Sequence, residues 1–249
     1  MSRTKSSYDL QQMRVAARAA AEIVAELGKM AVPGATAGQI EARARELCQK
    51  HGVEPNFLGY QGYEYATCIS VNEEAVHAFP LESKVFQEGD LVSIDFGTRF
   101  NGYNSDHCRT FAVGEPTPKH KKLLEVGEAA VENAIKQAMI GKRIGDISAA
   151  MQQTAEQAGF SIVKQYIGHG IGKKLHEWPE VPAFGEPGTG PALEANMVIC
   201  VECQVCELSD ELVTGKDGWT ASTKDGGFAV MFEHMVCITP GGPEVMTRL

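Results

Sequence analysis

Four acidic residues interrupt or adjoin runs that otherwise read as apolar strands. Asp95 lies in Ser93-Ile94-Asp95-Phe96-Gly97, Asp106 in Asn104-Ser105-Asp106-His107, Glu202 in Cys200-Val201-Glu202-Cys203, and Glu233 in Met231-Phe232-Glu233-His234. A strand acid with apolar neighbours tends to face a buried cleft, and a buried carboxylate needs a proton, a cationic side chain or a metal ion. For any one of the four, an ion pair with Lys or Arg is the ordinary reading. The four together, in stretches poor in basic residues, point instead to two divalent cations, which would neutralise four carboxylates.

Histidines supply the other half of the pattern. His169 sits in Gly168-His169-Gly170-Ile171-Gly172, where the glycines are expected to allow close backbone approach and unusual dihedrals. His176 follows in Leu175-His176-Glu177-Trp178-Pro179, and His77 lies in Ala75-Val76-His77-Ala78-Phe79-Pro80. Imidazole suits Zn, Fe, Co or Mn, whereas carboxylates favour harder ions such as Mn and Mg. His51, His107 and His120 lack such surroundings and read as structural or exposed. The run Cys200-Val201-Glu202-Cys203-Gln204-Val205-Cys206 raises a thiolate cluster, but alternation along a strand sets Cys203 apart from Cys200 and Cys206. Three thiolates from this strand therefore do not converge on one ion.

The elements that must hold these residues can be sketched from periodicity. A helix is expected over Tyr8 to Met30, with Val15, Ala19, Ile23, Val24 and Leu27 on its apolar stripe, broken by Pro33-Gly34. A second helix would be capped by Thr36, carry Ile40, Ala44 and Leu47, and end at Gly52. β-rich runs follow at Tyr65–Val71, Leu91–Thr98 and Tyr103–Val113, then helices over Pro118–Gln137 and Ile147–Ala158. Strands return around Met197–Cys206, Thr220–Ser222 and Ala229–Ile238. The order helix, helix, strands thus occurs twice. A shift of 107 residues carries Gly34 onto Gly141, Gly38 onto Gly145, Ile40 onto Ile147, Gly52 onto Gly159 and Asp95 onto Glu202. Two related halves, roughly 8–115 and 116–249, are expected to pack as one domain over 1–249 with a site between them.

Composition narrows the class. At 249 residues and 43% hydrophobic, the chain can bury a sizeable core. Its formal charge of −9 and the lack of a basic patch beyond Lys119-His120-Lys121-Lys122 argue against nucleic acid as a partner. The opening stretch from Met1 to Leu10 is polar rather than signal-like, and no run is apolar for long enough to span a membrane. Seven scattered cysteines do not resemble a disulfide framework. A soluble, cytoplasmic protein of a reducing compartment is the expectation, with a monomer as the default.

Taken together, these residues resemble the methionine aminopeptidases of the pita-bread metallopeptidase group. Asp95, Asp106 eleven residues on, His169 in its Gly-His-Gly-Ile-Gly loop, Glu202 and Glu233 match the family's metal ligands, while His77 and His176 match its further histidines. The likeness runs from roughly residue 8 to the end. Without the type 2 insertion or an N-terminal zinc-finger extension, the chain is most similar to type 1. The resemblance implies an α+β pita-bread fold: two pseudo-symmetric halves, an antiparallel sheet covered by helices, and a dinuclear metal site between them. It implies Asp95 on one ion, His169 and Glu202 on the other, and Asp106 and Glu233 bridging two divalent ions, which could be Mn, Fe, Co or Zn. A metal-activated hydroxide would attack the first peptide bond, with the substrate's free α-amine completing one ion's shell. Glu202 would shuttle the proton, His176 would donate to the oxyanion, and His77 would contact the amide nitrogen beyond the cleaved bond.

Tyr60, Tyr63, Cys68 and Trp219 match the pocket that the family uses for the methionine side chain, a flexible thioether favoured by aromatic contact. The implied substrates are N-terminal Met peptides and nascent chains, at the ribosome, with a small second residue preferred. Some positions depart from the family: Cys203 replaces the usual proline after Glu202, Gln61 stands between Gly59 and Gly62, Leu175 precedes His176, and Ala78-Phe79 follows His77. These departures touch no ligand but put substrate preference in question. A proline-directed peptidase of the same fold and a catalytically silent binding module remain as alternatives.

Overall fold

The computed structural model describes residues 3–249; Met1 and Ser2, at the head of the polar opening stretch, lie outside the described residues. Helix α1 (Ser7–Gly28) begins with a capping box in which Ser6 and Asp9 satisfy each other's backbone N–H groups. Helix α2 (Ala37–His51) has the expected bounds: Thr36 and Gln39 form a second capping box, and Gly52 ends it in the left-handed conformation. Helix α3 (Pro118–Ile135) starts on a Thr117 cap with proline in its first turn, and α4 (Ile144–Gln157) follows. One residue of the expected stripe of α1 is misplaced: Val15 is exposed, whereas Ala19, Ile23, Val24 and Leu27 are buried as expected, joined by Met13, Ala16, Ala17 and Ala20. None of the helices is long and apolar enough to cross a membrane among the described residues.

The helices lean on one face of a nine-stranded sheet whose pairings are antiparallel. From edge to edge, its path runs Glu177–Val181, Gly168–Gly170, Val198–Cys206, Ala229–Thr239, Cys108–Ala112, Leu91–Asp95 and Cys68–Val71, with Ser161–Ile162 and Gly242–Val245 attached beside it. Alternation sorts the two faces. On the Val198–Cys206 strand, Ile199, Val201, Cys203 and Val205 pack with Leu123, Val131, Ile147 and Met151 of α3 and α4. Val92 and Ile94 of the Leu91–Asp95 strand pack likewise with Ile23, Leu27, Ile40 and Leu47 of α1 and α2. Each such fully buried aliphatic side chain contributes about 1.5–3 kcal/mol of transfer free energy. Val198, Cys200 and Met235 face the opposite way, into a third cluster with Met13, Phe57, Tyr63 and Leu175.

The 107-residue spacing recurs in the structure. Isolated bridges tie Thr36 to Val85 and Arg143 to Ala192, each partner displaced by that number. Carried over by the same shift, α2 falls on α4 and the Leu91–Asp95 strand on the start of Val198–Cys206.

Several strands are shorter than expected, for identifiable reasons. The first begins at Cys68, not Tyr65, because the buried Glu41 carboxylate accepts the N–H groups of Ala66 and Thr67, at 2.9 Å each. The Tyr103–Val113 run breaks after Asn104 and resumes at Cys108, with Asp106 in the gap accepting the N–H of His107 at 3.1 Å. Short strands at Glu54–Pro55, Glu74–Val76 and Leu212–Thr214 carried no clear sequence signal. The seven cysteines are all unbridged and buried.

Candidate metal centre

Strand register, which no spacing along the chain reveals, assembles the site. Cys68 pairs with Asp95, Asp95 with Cys108, Cys108 with Glu233, and Glu233 with Glu202. Five residues from five neighbouring strands thus form one row across the sheet, on the face away from the helices. Asp106 reaches the same place from the break before Cys108. His169 enters from the Gly168–Gly170 strand, its Nε2 lying 3.8 Å from Asp106 Oδ2 and 3.9 Å from Glu202 Oε1.

The glycines beside His169 lie in an extended strand and lack the expected unusual dihedrals, but the expected close backbone approach is present. They are required by contact: a Cβ at residue 168 would fall on the carbonyl oxygen of Cys200, and one at residue 170 on that of Trp178. This close approach seats the imidazole over the carboxylate row. His169 Nδ1–H donates to the carbonyl of Gly170 at 3.0 Å, which leaves the Nε2 lone pair facing the acids.

All four acids are buried, and among the described residues none pairs with Lys or Arg. The ordinary ion-pair reading therefore fails here. Burial, reinforced by the neighbouring carboxylates, holds Asp95, Asp106 and Glu233 well above the usual carboxyl range, and burial raises Glu202 to about 7. Burial also pulls His169 down to about 3, so the ring is a neutral lone-pair donor. Asp95 Oδ1 and Glu233 Oε1 are buried without a hydrogen-bond partner. Orphaned carboxylate oxygens beside a neutral imidazole, with no cationic side chain near, are a donor set suited to divalent ions.

A cavity of about 140 Å³ opens onto this row, and every candidate site residue from the sequence lines it: the four acids and the His169 imidazole, together with His77, His176, Tyr60, Tyr63, Cys68 and Trp219. Tyr60 Oη lies 2.7 Å from His176 Nδ1, and the His176 ring meets that of His169 edge-on at 4.2 Å. His77 adopts a left-handed backbone (φ 59°), which is uncommon outside glycine and places the ring against Tyr166 and Trp219. Burial, then the nearby His176, draws His77 down to about 4. The Tyr63 hydroxyl donates to the carbonyl of Thr67 at 2.9 Å, and its ring packs edge-on against Trp219 at 5.0 Å. A larger, more open groove of about 690 Å³ shares His169 and His176 but contains none of the four carboxylates.

Some lining residues had no sequence signal. Phe57 and Met231 also line the cavity. Gln204 donates to Glu202 Oε2 at 3.1 Å, and Cys200 Sγ lies within 4.8 Å of a ligand atom of each of Asp106, His169 and Glu233. Only the shared strand face of Cys200, Glu202 and Gln204 was readable beforehand.

With this geometry, the chain is a metal-dependent peptidase in class: residues 11–240 match the model of metallopeptidase family M24, and the chain belongs to that family. Within it, the similarity is to methionine aminopeptidases. The chain is 41% identical over 245 residues to the methionine aminopeptidase of Clostridium perfringens, covering 98% of each chain. It superposes on the crystal structure of the methionine aminopeptidase of Thermotoga maritima with a TM-score of 0.98 at 43% identity, covering 100% of both chains. A likeness to the prolidase from Pyrococcus furiosus, with a TM-score of 0.79 at 23% identity and covering 99% of this chain and 65% of that one, reflects the shared fold alone.

Proposed function

We propose that this chain is a type 1 methionyl aminopeptidase that removes the initiator methionine from peptides and nascent proteins, preferring a small second residue. The observation that carries the reading is the row of Asp95, Glu233 and Glu202, joined by Asp106 and His169, in one cavity with His77, His176 and an aromatic pocket. In this reading, Asp95 would hold one divalent ion, His169 and Glu202 a second, and Asp106 and Glu233 would serve both. Mn, Fe, Co and Zn all suit the donors. When bound, such ions supply Lewis acidity, polarising a carbonyl and lowering the pKa of water in the site toward neutrality.

The chain's own residues do the rest. Glu202, whose carboxyl sits at about 7, can accept a proton as the scissile bond is attacked and return it to the leaving amine. With the Tyr60 hydroxyl donating to Nδ1, His176 carries its proton on Nε2, free to donate to the developing oxyanion. His77, held neutral, contacts the amide nitrogen beyond the cleaved bond. Tyr60, Tyr63, Cys68 and Trp219 receive the methionine side chain. We read residues 1–249 as a single catalytic unit with halves at 8–115 and 116–249, acting as a cytoplasmic monomer on chains emerging from the ribosome.

The test is methionine release from Met-Ala-Ser and Met-Lys-Ser by metal-stripped protein resupplied with Mn, Co, Fe or Zn. Metal-dependent cleavage of the alanine peptide alone is expected. Metal uptake without cleavage would shift the reading to another peptidase specificity, and absence of uptake would favour a binding module.

A further inference from the structure

Cys200 lies two residues before Glu202 on the cavity-side face of the Val198–Cys206 strand and is fully buried. Its Sγ, the imidazole of His169 and the carboxylates of Asp106 and Glu233 each offer a ligand atom within 4.8 Å of the others. The buried Oε1 of the Glu233 carboxylate has no hydrogen-bond partner. A tetrahedral ion with bonds of about 2.0–2.3 Å spaces its donors roughly 3.5 Å apart, so no pair of the four needs to contract by more than about 1.3 Å. The other cysteines of this strand are elsewhere: Cys203 packs toward α3 and α4, and Cys206 joins a separate cluster at the far end. The metal-dependent reading above leaves the Cys200 thiol without a role.

We propose that Cys200 is an additional protein donor on the His169 side of the metal centre, a thiolate that biases the site toward thiophilic ions such as Zn(II), Co(II) and Fe(II) and against Mn(II) and Mg(II). This rests on the metal-dependent reading. Thiolate is a soft donor, and sets mixing sulfur with imidazole and carboxylate favour zinc-like ions over oxygen-preferring ones. On coordination, the S–H bond breaks, the proton passes to solvent, and the electron pair left on sulfur forms the bond to the ion; no redox change is involved. The ion shared with Glu233 also satisfies the orphaned oxygen of that carboxylate.

Titration of the metal-stripped full chain with Co(II), followed by absorption spectroscopy, tests this directly. The wild type is expected to develop an intense near-ultraviolet sulfur-to-cobalt band together with weaker visible bands. Cys200→Ser should keep the visible bands and the cobalt stoichiometry but lose the near-ultraviolet band, and Cys200→Ala should do the same. Cys68→Ser, removing a different thiol that lines the cavity, should retain it. In competition, the preference for Zn(II) over Mn(II) should fall about tenfold or more in Cys200→Ser. Cobalt uptake without the near-ultraviolet band in the wild type, or an unchanged band and preference in Cys200→Ser, would overturn the role of Cys200 and leave the metal reading standing. Failure to take up cobalt at all would overturn both.

Discussion

Glu202 and Glu233 stand directly opposite each other in the register between the Val198–Cys206 and Ala229–Thr239 strands, both buried. Like charges in directly opposed positions destabilise a strand pair, and burial magnifies the effect. The fold tolerates the pair only if protons or cations neutralise it.

Metal removal should therefore destabilise the protein in a pH-dependent way. The folded-state values of Asp95, Asp106 and Glu233 lie well above the usual carboxyl range, and Glu202 lies at about 7. A raised carboxyl contributes its stability below the unfolded-state pKa and loses it as pH rises through the folded-state value. The chelated protein should thus melt lower at pH 8 than at pH 6, by about 5 °C or more, and added metal should close the gap. Differential scanning calorimetry with and without chelator checks this; a chelated protein more stable at pH 8 would contradict it.

Asp106→Asn should remove one shared negative donor while preserving shape. Methionine release is expected to drop by about a hundredfold or more, together with weaker metal uptake. Normal turnover in that variant, measured beside its metal content, would rule out the proposed centre.

His176 offers a contrast. Substitution His176→Ala should lower kcat about a hundredfold with metal content unchanged. Tyr60→Phe, which removes the 2.7 Å contact to Nδ1, should lower kcat less, about three- to tenfold. If His176→Ala instead purifies without metal, the assigned role is wrong.

Lys5 braces the same loop from the N-terminal arm. Its Nζ is 2.6 Å from Glu177 Oε2, with both side chains about 10% exposed, and Glu177 Oε1 accepts the N–H of Lys174 at 3.0 Å. Lys5→Met should cost about 1–3 kcal/mol of stability and lower kcat a few-fold, whereas Lys5→Arg should restore both. Thermal melts and steady-state kinetics on the pair give the answer, and an unaltered Lys5→Met protein would refute it.

In the pocket, Trp219 packs on Tyr63 and sits on a turn fixed by Asp217, whose Oδ1 accepts the N–H groups of Trp219 and Thr220. Trp219→Ala should raise KM for Met-Ala-Ser about tenfold and change kcat less, as expected for lost ground-state binding. A pure kcat effect would remove Trp219 from the pocket.

Much of this was legible in the chain. Thr36 and Gly52 bracket α2 as cap chemistry dictates, and the alternation that separates Cys203 from Cys200 and Glu202 survives intact. The 107-residue shift found Asp95 and Glu202 as counterparts. What the sequence concealed was long-range. No spacing tells that Cys108 lies between Asp95 and Glu233 in one row, because register is set by pairing across distant segments. The capture of the Ala66 and Thr67 amides by Glu41, which delays the first strand, is equally invisible to local propensity. Of the two reasons expected for the glycines around His169, close approach holds, since they admit the backbones of Cys200 and Trp178, while the unusual dihedrals do not appear.

The most direct test of the account is to titrate metal-stripped protein with Mn(II) or Co(II) and measure, in the same samples, metal bound per chain and the rate of methionine release from Met-Ala-Ser. Release that is absent without metal, rises with occupancy and disappears in Asp106→Asn is the predicted result. Release by the stripped protein, or full occupancy with no release from any N-terminal methionine peptide, would contradict it.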